Sequence, residues 1–476
     1  MFSIKHVSLR AKRSNLFTLC FLVLLSGCAI GPKYVKPTIS IPAAYKDAGD
    51  WKKANPQDET IRGDWWKIFN DPQLDDLENQ VNISNQNIAA AQAQYAQAYA
   101  LVQAARSSFF PTLSTNASFT RSHGSSNTKE GKSAVSNNLL SADVSWELDL
   151  WGKIRRTMEA NRANALASNA DLENIRLSAQ SQLAQDYFQL CSLDTQKKIL
   201  DDTLVIYQKF LILTKNRYDS GVASQSDVLQ AQTQLEGTQA QGIDIGVQRS
   251  QLENAIALLV GKPASDFSIP VLSLPAVVPV VPAGLPSEIL ERRPDIAASE
   301  RTVAADNALI GVAESAYFPT LTLSASGSYG SSDLSRIFSS PNPLWSVGPA
   351  LAESIFDAGL RQAQTSQAKA VYDQNVANYR QTVLTAFGQV EDNLAALRIL
   401  EQEAKVQDEA VTDARKAVTI ETNQYKAGTV SALDVINTQA TALVDEKTST
   451  TILGERLNAC VLLIQYLGGG WTAPKQ

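Results

Sequence analysis

The segment Phe318-Pro319-Thr320-Leu321-Thr322-Leu323-Ser324-Ala325-Ser326-Gly327-Ser328-Tyr329 alternates with period two. In an extended chain Leu321, Leu323, Ala325, Gly327 and Tyr329 fall on one face, and Thr320, Thr322, Ser324, Ser326 and Ser328 on the other. Proline before such a segment ends whatever helix precedes it. In Leu140–Asp149 the residues Leu140, Ala142, Val144, Trp146 and Leu148 alternate in the same way with Ser141, Asp143, Ser145, Glu147 and Asp149. A third strand follows Pro111, with Leu113 and Phe119 on its apolar face, and a fourth, less regular, is expected at Trp345–Ile355, where Pro349 and Glu353 interrupt the pattern. Strands of about ten residues with one apolar and one wet face suit a membrane barrel wall, and Trp146 and Tyr329 suit its interfacial girdles. Four strands cannot close such a barrel, and lipid tolerates no open edge. Copies of the chain must then share one wall; two copies give eight strands and three give twelve, and the residues do not choose.

Outward from the strands, the chain is a duplication. Phe110-Pro111-Thr112-Leu113 precedes Phe318-Pro319-Thr320-Leu321 by 208 positions, and Tyr218-x-x-Gly221, Asp227-Val228 and Gly261 recur as Tyr425-x-x-Gly428, Asp434-Val435 and Gly468 at an offset of 207. Gly152 and Gly359 keep that register. The reading divides the chain into a first repeat at 71–262, a Pro-rich connector at 263–294 and a second repeat at 295–468, with a linker at 28–70 and a tail at 469–476. In the first repeat Asp71-Pro72 opens a helix expected to reach about Ser108. Gly152–Arg217 has no proline and no interior glycine, and Leu200, Leu204, Tyr207 and Leu211 step by three and four. Such a helix is a rod of roughly 100 Å, which implies coiled-coil-like packing. Gly221 turns the chain back into a helix over Ser224–Val260; Gly359–Gln424 and Ser431–Leu467 repeat the pair. The expected fold is mainly α with a membrane β-barrel: four long antiparallel helical rods per protomer, two continuous and two pseudo-continuous, plus four transmembrane strands.

The net charge of −6 over 476 residues argues against a nucleic-acid partner. The two histidines are His6 and His123, so no His-based metal cluster or proton relay is available. Without a phosphate loop or a nucleophile elbow there is no enzyme reading, and no cofactor or metal is expected. Lys5, Arg10, Lys12 and Arg13 precede the short apolar run Leu16–Leu25, a signal peptide over 1–27. Leu25-Ser26-Gly27-Cys28 resembles a bacterial lipobox, with Cys28 as the lipidation site, and Ala29 in place of Asp suits sorting to the outer membrane. Cys191 and Cys460 lie in helical stretches and are expected to be buried free thiols.

Trp65-Trp66-x-x-Phe69-x-Asp71-Pro72-x-Leu74, the two Phe-Pro-Thr-Leu motifs, Leu285-Pro286-x-x-x-Leu290-x-Arg292-Arg293-Pro294-Asp295-Ile296 and the tips Tyr218–Gln232 and Tyr425–Gln439 together resemble the TolC family of outer-membrane efflux proteins, in its OprM- and NodT-like lipoprotein branch. The resemblance implies a homotrimer with a 12-stranded barrel over a 12-helix periplasmic tunnel. It implies docking to a periplasmic membrane-fusion adaptor and an inner-membrane pump, usually of the resistance-nodulation-division type. The implied function is a passive exit duct for drugs or toxic small molecules, lipid-anchored in the bacterial outer membrane. Type I protein secretion fits the same architecture, and a structural periplasmic coiled-coil lipoprotein is the alternative from another class.

By motif, Asp434, Asn437 and Tyr425 take the positions of the family's periplasmic gate. Asn437 stands where some members carry Asp, and Val430 where some carry a bridging Arg, which makes the network poorer. The plainer reading is helix capping, since Ser431-x-x-Asp434 and Ser224-x-x-Asp227 both carry the N-terminal signature; the two roles are compatible. Gly221 and Gly428 suit tip turns with positive φ and a surface that an adaptor would touch. Trp65 and Trp66 read as packing anchors, and Arg292 and Arg293 as partners for nearby acids.

Overall fold

A computed structural model describes residues 29–42, 45–46, 63–123, 134–281, 292–337 and 343–470; Cys28, the leader, Leu285, Pro286, Leu290 and residues 471–476 lie outside the described residues. The elements are α1 Pro72–Ser84, α2 Gln86–Ser107, β1 Thr112–Ser122, β2 Val135–Leu148, α3 Lys153–Asp219, α4 Gln225–Leu259, α5 Pro294–Ser315, β3 Thr320–Ser331, β4 Pro343–Ala352, α6 Leu360–Ala427 and α7 Ala432–Tyr466. The rods α3 and α6 hold 67 and 68 residues. No described helix is long and apolar enough to cross a membrane.

Two elements depart from the sequence expectation. The helix expected from Asp71-Pro72 to Ser108 breaks at Asn85, whose backbone is extended. The Asn85 Oδ1 accepts from the Asn87 and Ile88 amides at 2.9 and 3.1 Å, a side-chain cap that starts a new helix. The fourth strand is Pro343–Ala352 rather than Trp345–Ile355, so Glu353 falls beyond it. Pro349 is accommodated because β4 lies at the edge of the sheet, where one row of backbone groups has no ladder partner.

The break at Asn85 also makes a joint. Asn85 Nδ2 donates to the Leu259 carbonyl at 2.8 Å, and a Cβ on Gly261 would lie 2.2 Å from the Ser84 carbonyl oxygen. In the second repeat a Cβ on Gly468 would lie 2.1 Å from the Arg292 carbonyl oxygen, and Arg293 Nη1 donates to the Tyr466 carbonyl at 3.2 Å. Each 35-residue return helix thus ends against the start of a 22-residue helix, α4 on α2 and α7 on α5. These are the two pseudo-continuous rods.

The chain divides into two compact units, each drawing on both repeats. One comprises residues up to Thr38, Gln94–Ser168 and Ala298–Tyr379. It holds an antiparallel sheet in the order β1-β2-β3-β4, with β1 and β4 as edges. The register aligns Leu113–Val144–Ala325–Val347 across all four strands, followed by Thr115–Ala142–Gly327–Trp345 and Ala117–Leu140–Tyr329–Pro343. One face is therefore predominantly apolar from Pro343 to Leu351 on β4 and across the matching parts of the other strands, with Thr115 the polar residue in these rows. The other carries Ser114–Asp143–Ser326–Ser346 and similar rows. At the strand ends the Trp151 indole stacks on Phe318, with centroids 4.9 Å apart, and donates to the Pro319 carbonyl at 2.7 Å. Below the strands α3 and α5 meet through Ala160, Ala163, Ala305 and Ala308, whose small side chains let the helices approach closely.

In the same unit residues 29–34 form a strap. Arg156 Nε donates to the Ile30 carbonyl, and Nη2 to those of Gly31 and Pro32, each at 3.1 Å. The Ile30 amide donates to the Trp151 carbonyl at 3.0 Å, and the Tyr34 hydroxyl to Glu300. A Cβ on Gly311 would lie 2.7 Å from the Ile30 carbonyl oxygen, so only glycine lets the strap lie flat there.

The second unit comprises Ile39–Ala93, Asn169–Ala297 and Arg380–Gln476. Trp65 and Trp66 are buried in edge-to-face contact, centroids 5.9 Å apart, and Trp65 Nε1 donates to Gln180 at 3.3 Å. The Asp71 carboxylate caps α1 at the Gln73 and Leu74 amides and accepts the Tyr187 hydroxyl at 2.7 Å. Arg293 pairs with Asp295 at 2.6 Å. Arg249 joins Asp194 at 2.7 Å to the Ile269 carbonyl at 2.8 Å, pinning the connector. Cys191 and Cys460 are free and buried, and burial pushes both thiols up to about 12. The Glu78 carboxyl is wholly buried, with neither oxygen hydrogen-bonded among the described residues. Burial first, and the Asp75 charge second, hold its pKa well above the usual carboxylate range.

Two predictions follow from these contacts. Arg156→Ala removes the donor shared by three strap carbonyls; a loss of about 2–3 kcal/mol makes cleavage of residues 29–34 by a non-specific protease faster by on the order of 30- to 150-fold. Equal cleavage rates mean that the strap does not depend on Arg156. Because the Glu78 pKa is raised on folding, its penalty is absent below about pH 4.3 and grows as pH rises towards the folded value. Glu78→Gln therefore raises the melting temperature more at pH 8 than at pH 5, and a pH-independent difference contradicts the assignment.

Candidate functional site

The duplicated tips share one backbone recipe. At the end of α3 the Val222 amide bonds the Arg217 carbonyl and the Gly221 amide that of Tyr218, both at 2.8 Å; at the end of α6 the Thr429 amide bonds Gln424 and the Gly428 amide bonds Tyr425, both at 3.0 Å. This is the Schellman closure, which needs a residue with positive φ, and Gly221 and Gly428 supply φ of +73° and +80°. Ser224 and Ser431 then cap the returning helices. Each serine hydroxyl accepts from the aspartate amide three residues on, and each aspartate accepts from the serine amide, forming capping boxes with Asp227 and Asp434. The Asp434 carboxylate takes both the Ser431 hydroxyl, at 2.6 Å, and its amide, at 2.9 Å. These bonds hold its pKa below the ordinary aspartate value although the group faces solvent.

The side chains break the symmetry of the repeats. Tyr218 is 44% exposed, whereas Tyr425 is 3% exposed and packs among Phe210, Leu211, Ala432, Val435 and Ile436. The Tyr425 hydroxyl donates to Thr214 Oγ1 at 3.3 Å, and its carbonyl accepts from Arg217 Nη1 at 2.5 Å. The Arg217 guanidinium also lies 4.5 Å from the centre of the Tyr425 ring. One repeat's rod therefore grips the other's at the tip, through α3 and α6.

Of the residues singled out from the sequence, Asp434 and Asn437 are both exposed, one helical turn apart on α7. Val430 packs against the tip's apolar cluster. Arg217 and Thr214 were not singled out. The signal lay in the repeat itself: at the offset of 207, Arg217 faces Gln424 and Thr214 faces Glu421, so the cation belongs to one repeat alone. His123 is exposed just beyond β1.

The chain is 29% identical over 458 residues to the probable efflux pump outer membrane protein TtgC of Pseudomonas putida, covering 94% of each chain. It is 29% identical over 463 residues to the cation efflux system protein CusC of Escherichia coli O6:H1, covering 96% of this chain and 99% of that one. The solved structure of the outer-membrane channel OprN superposes with a TM-score of 0.86 at 29% identity, over 93% of this chain and 100% of that one. The family model described as outer membrane efflux protein matches twice, at residues 77–262 and 285–469. The chain, with its paired rods and latched tips, belongs to the outer membrane efflux protein family.

Proposed function

We propose that the protein is the passive outer-membrane exit duct of a tripartite efflux pump, exporting drugs or other toxic small molecules. The observation that carries this reading is the sheet, mainly apolar on one face, mainly hydroxyl-bearing on the β1–β3 part of the other, with its edges at β1 and β4. Leu113, Phe119, Trp345, Val347 and Leu351, which are exposed in the single chain, would face lipid. Three copies would close twelve strands into one wall, with the rods continuing the lumen as a periplasmic tunnel. Exposed apolar residues on the rods, among them Leu384, Ile399, Val406 and Ile420, suit burial between copies.

Partners of this duct are a periplasmic membrane-fusion adaptor, meeting the tips near Gly221 and Gly428, and an inner-membrane pump, of the resistance-nodulation-division type. Acylation of Cys28 would anchor the chain, and the strap gripped by Arg156 would tie that anchor to the fold. The duct carries out no catalysis and needs no cofactor, since transport through it runs on gradients set by the pump.

At the tip three copies of Asp434 would ring the mouth, with Asn437 one turn deeper. The Arg217–Tyr425–Thr214 latch holds α6 against α3 in the closed state, and adaptor contacts would release it. The Asp434 carboxylate, held below the ordinary aspartate range, keeps the ring charged at pH 5.

Conductance in planar bilayers tests the reading. Asp434→Ala raises single-channel conductance, and Tyr425→Phe, which removes a bond worth about 1 kcal/mol, raises the open-to-closed ratio roughly fivefold. Arg217→Ala, losing both the carbonyl bond and the ring contact, has the larger effect. Wild-type conductance in all three leaves capping and packing as the whole role of these residues; an absence of channels in any of them, wild type included, contradicts the duct itself.

A further inference from the structure

The polar face of the sheet is nearly uncharged. Among the four strands the charged residues are Arg121, Asp143 and Glu147. Arg121 shares the parity of Leu113 and Phe119, which puts it on the apolar face near the far end of β1. Glu147 stands on the polar face at the end of β2, where it pairs with Lys153 at 3.2 Å. Asp143 is in the interior of β2, on the polar face, in the row Ser114–Asp143–Ser326–Ser346. The rows on either side, Thr112–Ser145–Ser324–Gly348 and Asn116–Ser141–Ser328–Leu344, carry no charge. The one side-chain bond to the Asp143 carboxylate among the described residues comes from a neutral donor, the Ser141 hydroxyl at 3.0 Å.

We infer that Asp143 is a selectivity-determining residue: a carboxylate ring at mid-barrel that makes the outer-membrane section of the duct prefer cations and cationic cargo over anions. The inference rests on the closed-barrel reading above. Threefold closure repeats the Ser114–Asp143–Ser326–Ser346 row around the wall and places three carboxylates at one level. Twelve strands at about 4.8 Å spacing and about 40° tilt give a wall roughly 24 Å across between backbones. A carboxylate reaching inward then stands roughly 8 Å from the axis. That distance matches the Debye length of about 8 Å at physiological ionic strength, and is well inside the length of about 30 Å in dilute salt. The adjoining rows on that face are uncharged, so nothing beside the ring offsets its charge. The ring therefore sets the sign of the mid-barrel potential, strongly in dilute salt and weakly near 1 M.

The test is the zero-current potential of the full-length protein in planar bilayers under a tenfold KCl gradient, once in dilute salt and once near ~1 M. The comparison is wild type, Asp143→Asn, which is nearly isosteric, and Asp143→Lys. Ser326→Lys adds a cation to the same row while leaving Asp143 in place. Each is also measured with Asp434→Ala, so that the tip ring does not mask the barrel ring. In dilute salt the potassium-to-chloride permeability ratio falls at least about twofold in Asp143→Asn and Ser326→Lys and inverts in Asp143→Lys, and the differences shrink near 1 M. Conducting channels whose ratio is unchanged by all three substitutions overturn the inference and leave the duct standing. If wild type forms no channel, the duct reading fails and this inference with it.

Discussion

An unpaired strand edge in lipid is the constraint on which everything else depends. β1 and β4 hold 11 and 10 residues, and each edge presents about half of its backbone groups away from its one partner. Each unsatisfied group costs at least about 2 kcal/mol in a hydrocarbon environment. About twenty such groups on the two edges exceed the roughly 5–15 kcal/mol of net stability that a folded chain has at its disposal. Side-chain packing cannot offset that, so a single copy with this sheet has no stable place in a bilayer. In the proposed duct, association would then be a condition of the fold rather than an embellishment of it.

The same constraint explains the division of labour along the chain. In the proposed duct the edge strands would need neighbours from other copies, whereas helices satisfy their own backbones, which suits a long helical section. Duplication supplies two hairpins of rods from one solution to the local problem: a Schellman glycine, a short turn, a serine–aspartate capping box. Once the backbone recipe is fixed, side chains are free to diverge. Tyr218 stays at the surface while Tyr425 turns inward and meets Arg217 and Thr214. A symmetric scaffold thereby acquires an asymmetric contact at the tip.

Elements governed by local chemistry were legible in the sequence. The rods follow from long stretches without proline or interior glycine, the tips from glycine and Ser-x-x-Asp, and the strands from strict alternation. The places that escaped are those decided by contacts between distant residues. Asn85 can cap a new helix or sit inside a continuous one, and its bond to the distant Leu259 carbonyl accompanies the break. The bounds of β4 are set by its pairing with β3, through Thr320–Ala352 at one end, and not by its own irregular pattern. The strap depends on Arg156 and Gly311 meeting the carbonyls of residues 30–32, three separate stretches with no shared motif. At the tip the resemblance pointed to Val430 as the place of a missing cation, whereas the cation stands on the other repeat as Arg217.

Native mass spectrometry of the full-length protein extracted from membranes in detergent tests the edge argument most directly. Three copies per particle, with β1 and β4 amides as protected from hydrogen exchange as those of β2 and β3, is the result expected. A monomer that stays folded in buffer without detergent, with freely exchanging β1 and β4 amides, contradicts the shared wall.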